Sequence, residues 1–181
     1  MAAADTGRAG DAALFAALIR ARSAGSRDEL AWLGLSHAAL ARLLARHGLP
    51  AVPPAWAEAA LPTEHAAFVD ALRVRLLADS SQAVDPDDAR CLASIVSHAC
   101  LRPDHLWRDL GLDGREAVSA MLARFFPAVA ARNTGQLRWK KFLAQDLALS
   151  RGEPPAPAPG CPGCEDYGHC FPAPHDRVSP H

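Results

Sequence analysis

The stretch DPDDARCLASIVSHACLR, residues 85–102, decides the fold. Asp85 suits an N-cap, Pro86 the first helical position, and Asp87 and Asp88 a first turn whose free amides favour negative charge. Pro103 stops the segment, because a proline inside a helix removes a hydrogen bond and clashes with the preceding turn. The stretch reads as one helix bounded by its own signals. On it Cys91 and His98 share a face seven residues apart, while Cys100 falls on the other side. Buried cysteine behaves as a small hydrophobe, so Cys91 and Cys100 are expected in the core. The alternative is that Cys91 with His98, or Cys100 with His105, adds to a metal site.

Outward from this helix the same reading repeats. DAALFAALIRARSAG (11–25) opens with Asp11 as a plausible N-cap and carries Leu14, Leu18 and Ile19 as a stripe. SHAALARLLARHG (36–48) runs from a serine cap to a terminal glycine. PAVPPAW (50–56) holds three prolines in five positions and is a connection. TEHAAFVDALRVRLLADS (63–80) repeats the pattern through Phe68, Leu72, Val74 and Leu76. DGREAVSAMLARFF (113–126) starts with Asp113 and Glu116 at capping-box spacing, Pro127 breaks or kinks it, and a last helix follows from Gln136 to Ser150. Trp107, Leu110, Leu112, Phe125 and Trp139 read as core, and Arg108 with Asp109 as a local ion pair. No alternating strand pattern or internal repeat is present.

Composition agrees. Half of the 181 residues are hydrophobic and only 6% aromatic, with Ala and Leu dominant, which suits packed helices better than a sheet. The expected organisation is a disordered N-terminus over 1–9, one all-α domain over 10–150, and an irregular tail over 151–181. Eight of the fifteen prolines fall in that tail, which has little apolar surface to offset the entropy of ordering. Left alone it should be disordered.

A net charge of −1 supplies no footprint for nucleic acid or anionic lipid. The N-terminus lacks the apolar region of a signal peptide and no window approaches a membrane span, so a cytoplasmic location is expected. Reducing compartments disfavour structural disulfides, and five cysteines cannot all pair. No glycine-rich phosphate loop, nucleophile elbow or HExxH helix marks an enzyme.

Chemistry concentrates in CPGCEDYGHCF, residues 161–171, where Cys161, Cys164 and Cys170 follow the spacing C-x2-C-x5-C. Pro162 and Gly163 suit a tight turn that points two sulfurs at one ion or cluster face. Soft thiolates select zinc, copper(I) or iron–sulfur clusters. Zinc would take His175 as its fourth ligand, since His169 adjoins Cys170 too closely, and the protein would then be a zinc-stapled interaction module. An iron–sulfur cluster fits the same spacing, and a labile thiol cluster is the third reading. Arg138, Lys140 and Lys141 form a basic patch on the last helix, either a solvated face or an attractor for an anionic cluster or molybdate.

Three stretches read in order add a family. HLWRDLGLDGREAVSAMLARFFPAVAARN (105–133), LRWKKFLAQDL (137–147) and CPGCEDYGHCF resemble the NifQ family of nitrogen-fixation proteins, clearly over residues 91–171 and faintly before Thr63. The resemblance implies a molybdenum carrier. It would hold a molybdenum–iron–sulfur cluster and deliver the metal to the iron–molybdenum cofactor, with the cofactor scaffold NifEN and the nitrogenase iron protein as partners. The family's tail motif, C-x4-C-x2-C-x5-C, places its first cysteine at residue 156, which is Ala156 here, and a further family cysteine is replaced by Ala148. A cubane of three irons and one molybdenum needs only three thiolates for its irons, which leaves an exchangeable corner for oxygen or nitrogen donors. Asp166, His169 and His175 are the candidates for that corner, and His105, just after Pro103, is a separate candidate metal ligand facing the tail.

Overall fold

The structure is a computed structural model that describes residues 2–23, 27–52 and 63–172. Those residues form helices α1 (Ala2–Ser23), α2 (His37–Arg46), α3 (Thr63–Ala78), α4 (Pro86–Ala99), α5 (Leu106–Leu110), α6 (Arg115–Phe125), α7 (Pro127–Arg132), α8 (Trp139–Ser150) and α9 (Tyr167–Cys170). Short 3-10 turns at Arg27–Leu33 and Cys161–Gly163 join them, and the described residues contain no strand. The fold is all-α.

Helix α4 is the central element, and its caps match the sequence expectation. Asp85 accepts hydrogen bonds from the amides of Asp87 and Asp88, and Pro86 occupies the first turn. Every residue from Asp88 to Ala99 except Arg90 is buried. A helix buried on all sides needs neighbours all round, and α2, α3, α5 and the Arg27–Leu33 turn supply them. Polar groups inside are paired. Ser94 Oγ donates to Gly34 O at 2.6 Å, and His98 Nδ1 lies 2.8 Å from Ser94 O. That carbonyl only accepts, so Nδ1 carries the proton, and burial holds the imidazole pKa below its usual value. Gly34, at φ +62°, lets the turn close onto this ring, since a Cβ there would stand 2.0 Å from it.

The core joins Phe15 and Leu18 of α1, Leu43 of α2, Leu72 and Leu76 of α3, Leu92 and Val96 of α4, and Leu122, Phe125 and Phe126. Each fully buried side chain of this size contributes about 1.5–3 kcal/mol relative to exposure. Cys91 and Cys100 belong to this core, and burial pushes their thiols up to about 11 and about 12.

Several local expectations are corrected. α1 runs from Ala2, so Asp11 is a mid-helix residue, buried and ion-paired with Arg124 of α6 instead of capping. Val74 is 70% exposed, because the buried face of α3 steps through Val69, Leu72 and Leu76, the 3–4 spacing that residue 74 does not meet. α6 begins at Arg115 behind Gly114 with no side-chain cap, so the Asp113–Glu116 capping box is not formed. The last helix starts at Trp139, because residues 133–138 make a separate loop with Gln136 at φ +49°. Most of the 50–56 connection lies outside the described residues, as does His175.

Candidate functional site

The tail departs most from expectation. Residues 151–156 are exposed, but from 157 the tail packs back on the domain through Ala158, Gly160 and Cys161, and the fastening is local and specific. Gly160 N donates to Cys100 O at 2.9 Å, directly after the end of α4. The approach is so close that a Cβ on Gly160 would stand 1.9 Å from Arg102 O. Ala158 is fully buried and Cys161 nearly so. The Cys161–Gly163 turn closes with Cys164 N donating to Cys161 O at 2.9 Å, and Tyr167 N donates to Cys164 O at 3.0 Å to begin α9. Compact turns of this kind hold order without strand or helix partners, which proline-rich sequence excludes.

Two elements face the turn. The start of α5 presents His105, whose amide donates to Asp104 Oδ1 at 2.7 Å. The start of α8 presents Arg138, Lys140 and Lys141, and its approach loop is pinned from both sides. Asn133 exchanges hydrogen bonds with Leu137, donating at 3.0 Å and accepting at 2.8 Å, while Arg115 Nη2 donates to Gln136 O at 2.9 Å.

Between them lies a cleft of about 590 Å3, lined by the three tail cysteines and by His105, Asp166 and the α8 cations. The turn and α9 therefore bring Cys161, Cys164 and Cys170 into the lining of one cleft. Burial raises the Cys161 thiol pKa, and its neighbours Cys164 and Cys170 raise it further against the opposing charge of Lys140. Three thiolates in this position need positive compensation, which a metal supplies. The lining also carries Arg108, Arg115, Arg138, Lys140 and Lys141 against the carboxylates of Asp104, Glu165 and Asp166. The cleft is cationic in a chain whose net charge is −1.

Each basic residue has a defined partner, so the patch is not a plain solvated face. Lys140 is 5% exposed, and its Nζ binds Asp109 and donates to Arg102 O at 2.7 Å. Lys141 Nζ donates to Cys170 O and stands 5.0 Å from the Phe171 ring centroid, a cation–π contact that ties α8 to the tail. Arg138 pairs with Asp166. Desolvation alone would raise the Asp166 pKa, but the Arg138 hydrogen bond and charge, with His105, hold it below the usual value.

Arg108 and Asp109 do not pair locally. Arg108 Nη1 donates to Asp104 at 3.2 Å and to Glu165 at 2.8 Å, while Asp109 takes Lys140 and, at 3.3 Å, Arg102. Consecutive helical positions point about 100° apart, which explains the split. Trp107 is half-buried at the cleft edge, where it stacks on His105.

Of the remaining sequence candidates, His169 is exposed and does not line the cleft, and Cys100 lies fully buried in the core behind Cys161. Sequence reasoning missed Asp104, Arg108, Arg115 and Glu165 as lining residues. The i, i+4 spacing of Asp104 and Arg108 was a legible signal, whereas nothing local marks Glu165. Donor atoms of Asp104, His105 and Glu165 lie within 4.8 Å of one another. Among the described residues no helix is long and apolar enough to cross a membrane.

No solved structure matches this chain. Protein NifQ of Azotobacter vinelandii is 44% identical over 100 residues, 55% of this chain and 50% of that protein. The NifQ homolog of Sinorhizobium fredii is 44% identical over 79 residues, covering 44% and 34% of the two chains. Protein NifQ of Rhodobacter capsulatus is 37% identical over 84 residues, 46% and 47% of the two. The matched part thus spans half or less of these curated relatives' own length. The NifQ family profile extends further, matching residues 14–172, from α1 through the cysteine turn, and the chain belongs to the NifQ family.

Proposed function

We propose that this protein is a molybdenum carrier for nitrogenase cofactor assembly. Its cargo is an iron–sulfur or molybdenum–iron–sulfur cluster held on Cys161, Cys164 and Cys170, which it delivers in the cytoplasm. The single observation that carries this reading is the meeting of three thiols in one open, cationic cleft. Soft thiolates suit iron corners, and the cations offset the negative charge of thiolate-ligated iron–sulfur cargo. The donor set fits the cargo.

Chain elements have separate tasks here. The turn at 161–163 and α9 set the sulfur spacing, Gly160 fastens the turn to the end of α4, and Lys141 holds the Cys170 carbonyl. Because the cleft is open, cargo remains within reach of a receiving protein. By family resemblance the recipients are the NifEN scaffold and the nitrogenase iron protein. The work is transfer by ligand exchange rather than turnover of an organic substrate.

The test is anaerobic reconstitution of the full chain with ferrous iron, sulfide and molybdate, followed by metal analysis. Wild type is expected to bind iron and molybdenum with a visible thiolate-to-iron charge-transfer band, and Cys164→Ser to lose most of both. Full retention of both metals by Cys164→Ser overturns the assignment. Exclusive uptake of zinc, colourless, would show a structural staple instead.

A further inference from the structure

Thiols account for only part of the cleft. Position 156, where the family places a further cysteine, is Ala156 here, exposed and outside the cleft lining. Beside the carboxylates of Asp104, Glu165 and Asp166, the lining also offers an imidazole. His105 is 16% exposed, with its ring stacked on Trp107 at 6.4 Å between centroids and 12° between planes. Nε2 lies 2.8 Å from Asp166 Oδ2 and 3.8 Å from Glu165 Oε1. Arg138 Nη1 stands 3.3 Å from Nδ1 and 3.2 Å from Nε2, and also pairs with Asp166.

The arginines decide what such a site accepts. A bare divalent cation ligated by His105 would be drawn to Asp104, Glu165 and Asp166, but would sit a few ångströms from Arg138 in a lining that carries five cationic side chains against those three carboxylates. Like charges this close repel, and several times more strongly near a protein surface than in bulk water. Oxygen ligands and a net negative charge reverse that sign, because the guanidinium then donates charge-assisted hydrogen bonds to the oxygens. Imidazole nitrogen with oxygen donors suits a harder metal than the thiolate corners do.

We propose that His105 and Arg138 form a metal–oxo half-site beside the thiol triad. His105 Nε2 ligates the non-iron metal of an anionic cluster, and Arg138 donates to that metal's oxygen ligands. The inference rests on the carrier reading above. Docking is a ligand substitution in which Nε2 gives up its contact with Asp166, the imidazole proton moves to Nδ1 through solvent, and the freed Nε2 lone pair bonds the metal as a bound water leaves, with no change of oxidation state. Arg138 exchanges the Asp166 carboxylate for the oxygens of the cargo, and the reverse exchange re-forms the Arg138–Asp166 pair on release. Asp166 is thereby a competitor for Arg138, not a ligand.

The experiment uses the full chain reconstituted anaerobically with ferrous iron, sulfide and molybdate. It compares wild type with His105→Gln and Arg138→Gln by iron and molybdenum content, and by X-ray absorption at the molybdenum edge. Expected are imidazole scattering at molybdenum in wild type, and wild-type iron with molybdenum lowered about tenfold or more in both variants, the range seen when a metal site loses its support. Two results overturn the half-site: a wild-type molybdenum spectrum without imidazole scattering, or wild-type molybdenum content in His105→Gln. Parallel loss of iron and molybdenum in His105→Gln overturns it too, since it marks a merely structural role. Wild type that binds no molybdenum overturns the carrier reading as well. Molybdenum bound normally by wild type and His105→Gln alike overturns the half-site alone.

Discussion

Gly160→Ala isolates the fastening of the cysteine turn from everything else in the molecule. At φ −80° the backbone of Gly160 is open to any residue, so only space is at issue. The new Cβ would stand 1.9 Å from Arg102 O and 2.6 Å from the carbonyl carbons of Arg102 and Leu101, where real Cβ atoms essentially never come under 3.0 Å. The neighbours are backbone and cannot turn aside. The segment must therefore retreat by about 1 Å, which stretches the 2.9 Å Gly160 N–Cys100 O hydrogen bond beyond bonding range. Losing that bond costs about 1 kcal/mol, and overpacking of this kind costs about 1–3 kcal/mol. Even 2 kcal/mol raises the detached population about 30-fold. The assay is the labelling rate of Cys161, buried when docked, by a thiol reagent in a Cys164→Ser/Cys170→Ser background. Gly168→Ala is the control within the same tail, because nothing lies within 4 Å of its Cβ. Gly160→Ala should label about 30-fold faster than the control at unchanged helical circular dichroism. Equal rates in the two variants would refute the reasoning.

Other outcomes follow from buried charge. Lys140→Met leaves Asp109 with Arg102 alone at 3.3 Å and removes the Nζ donor from Arg102 O, and should cost about 3 kcal/mol, or roughly 6–12 °C in Tm for a chain of this size, by thermal and urea unfolding. Lys140→Met/Asp109→Leu should recover much of that loss; a double variant no more stable than the single one would count against a desolvated pair. Burial lowers the His98 pKa, so the unfolded chain binds more protons just below the ordinary value of 6.5. Stability should therefore fall as pH drops through that value, and a His98→Asn variant should lose this slope. Asp146 is opposed by burial, but Arg132 at 2.7 and 2.8 Å and Arg75 at 2.9 Å hold its pKa below 3.8. Its contribution is present above that value and lost as pH falls further, so Asp146→Asn should flatten the acid limb of a pH–stability curve.

Much of the fold is legible locally because the signals are local. Asp85 and Pro86 start α4 where they stand in sequence, and Ser36 Oγ caps α2 by accepting from Ala39 N at 3.2 Å. Pro127 likewise opens α7. Expectations failed where a distant partner outweighed a neighbour. Asp11 is shaped like a cap, yet Arg124, 113 residues away, holds it inside a longer helix. Arg108 and Asp109 are adjacent, yet helix geometry sends one to Glu165 and the other to Lys140.

The candidate site divides in the same way. Sequence alone determined the all-α class, the three close-set thiols and the family, because caps, helical periodicity and ligand spacing act over a few residues. Tertiary structure alone decided that the tail docks on the end of α4, that its thiols share a cleft with His105 and Arg138, and that Lys140 is buried beneath them. Those facts depend on backbone contact at Gly160 and on charge pairs between residues dozens of positions apart. Close packing and Coulomb attraction depend on distance in space, which a linear pattern does not encode.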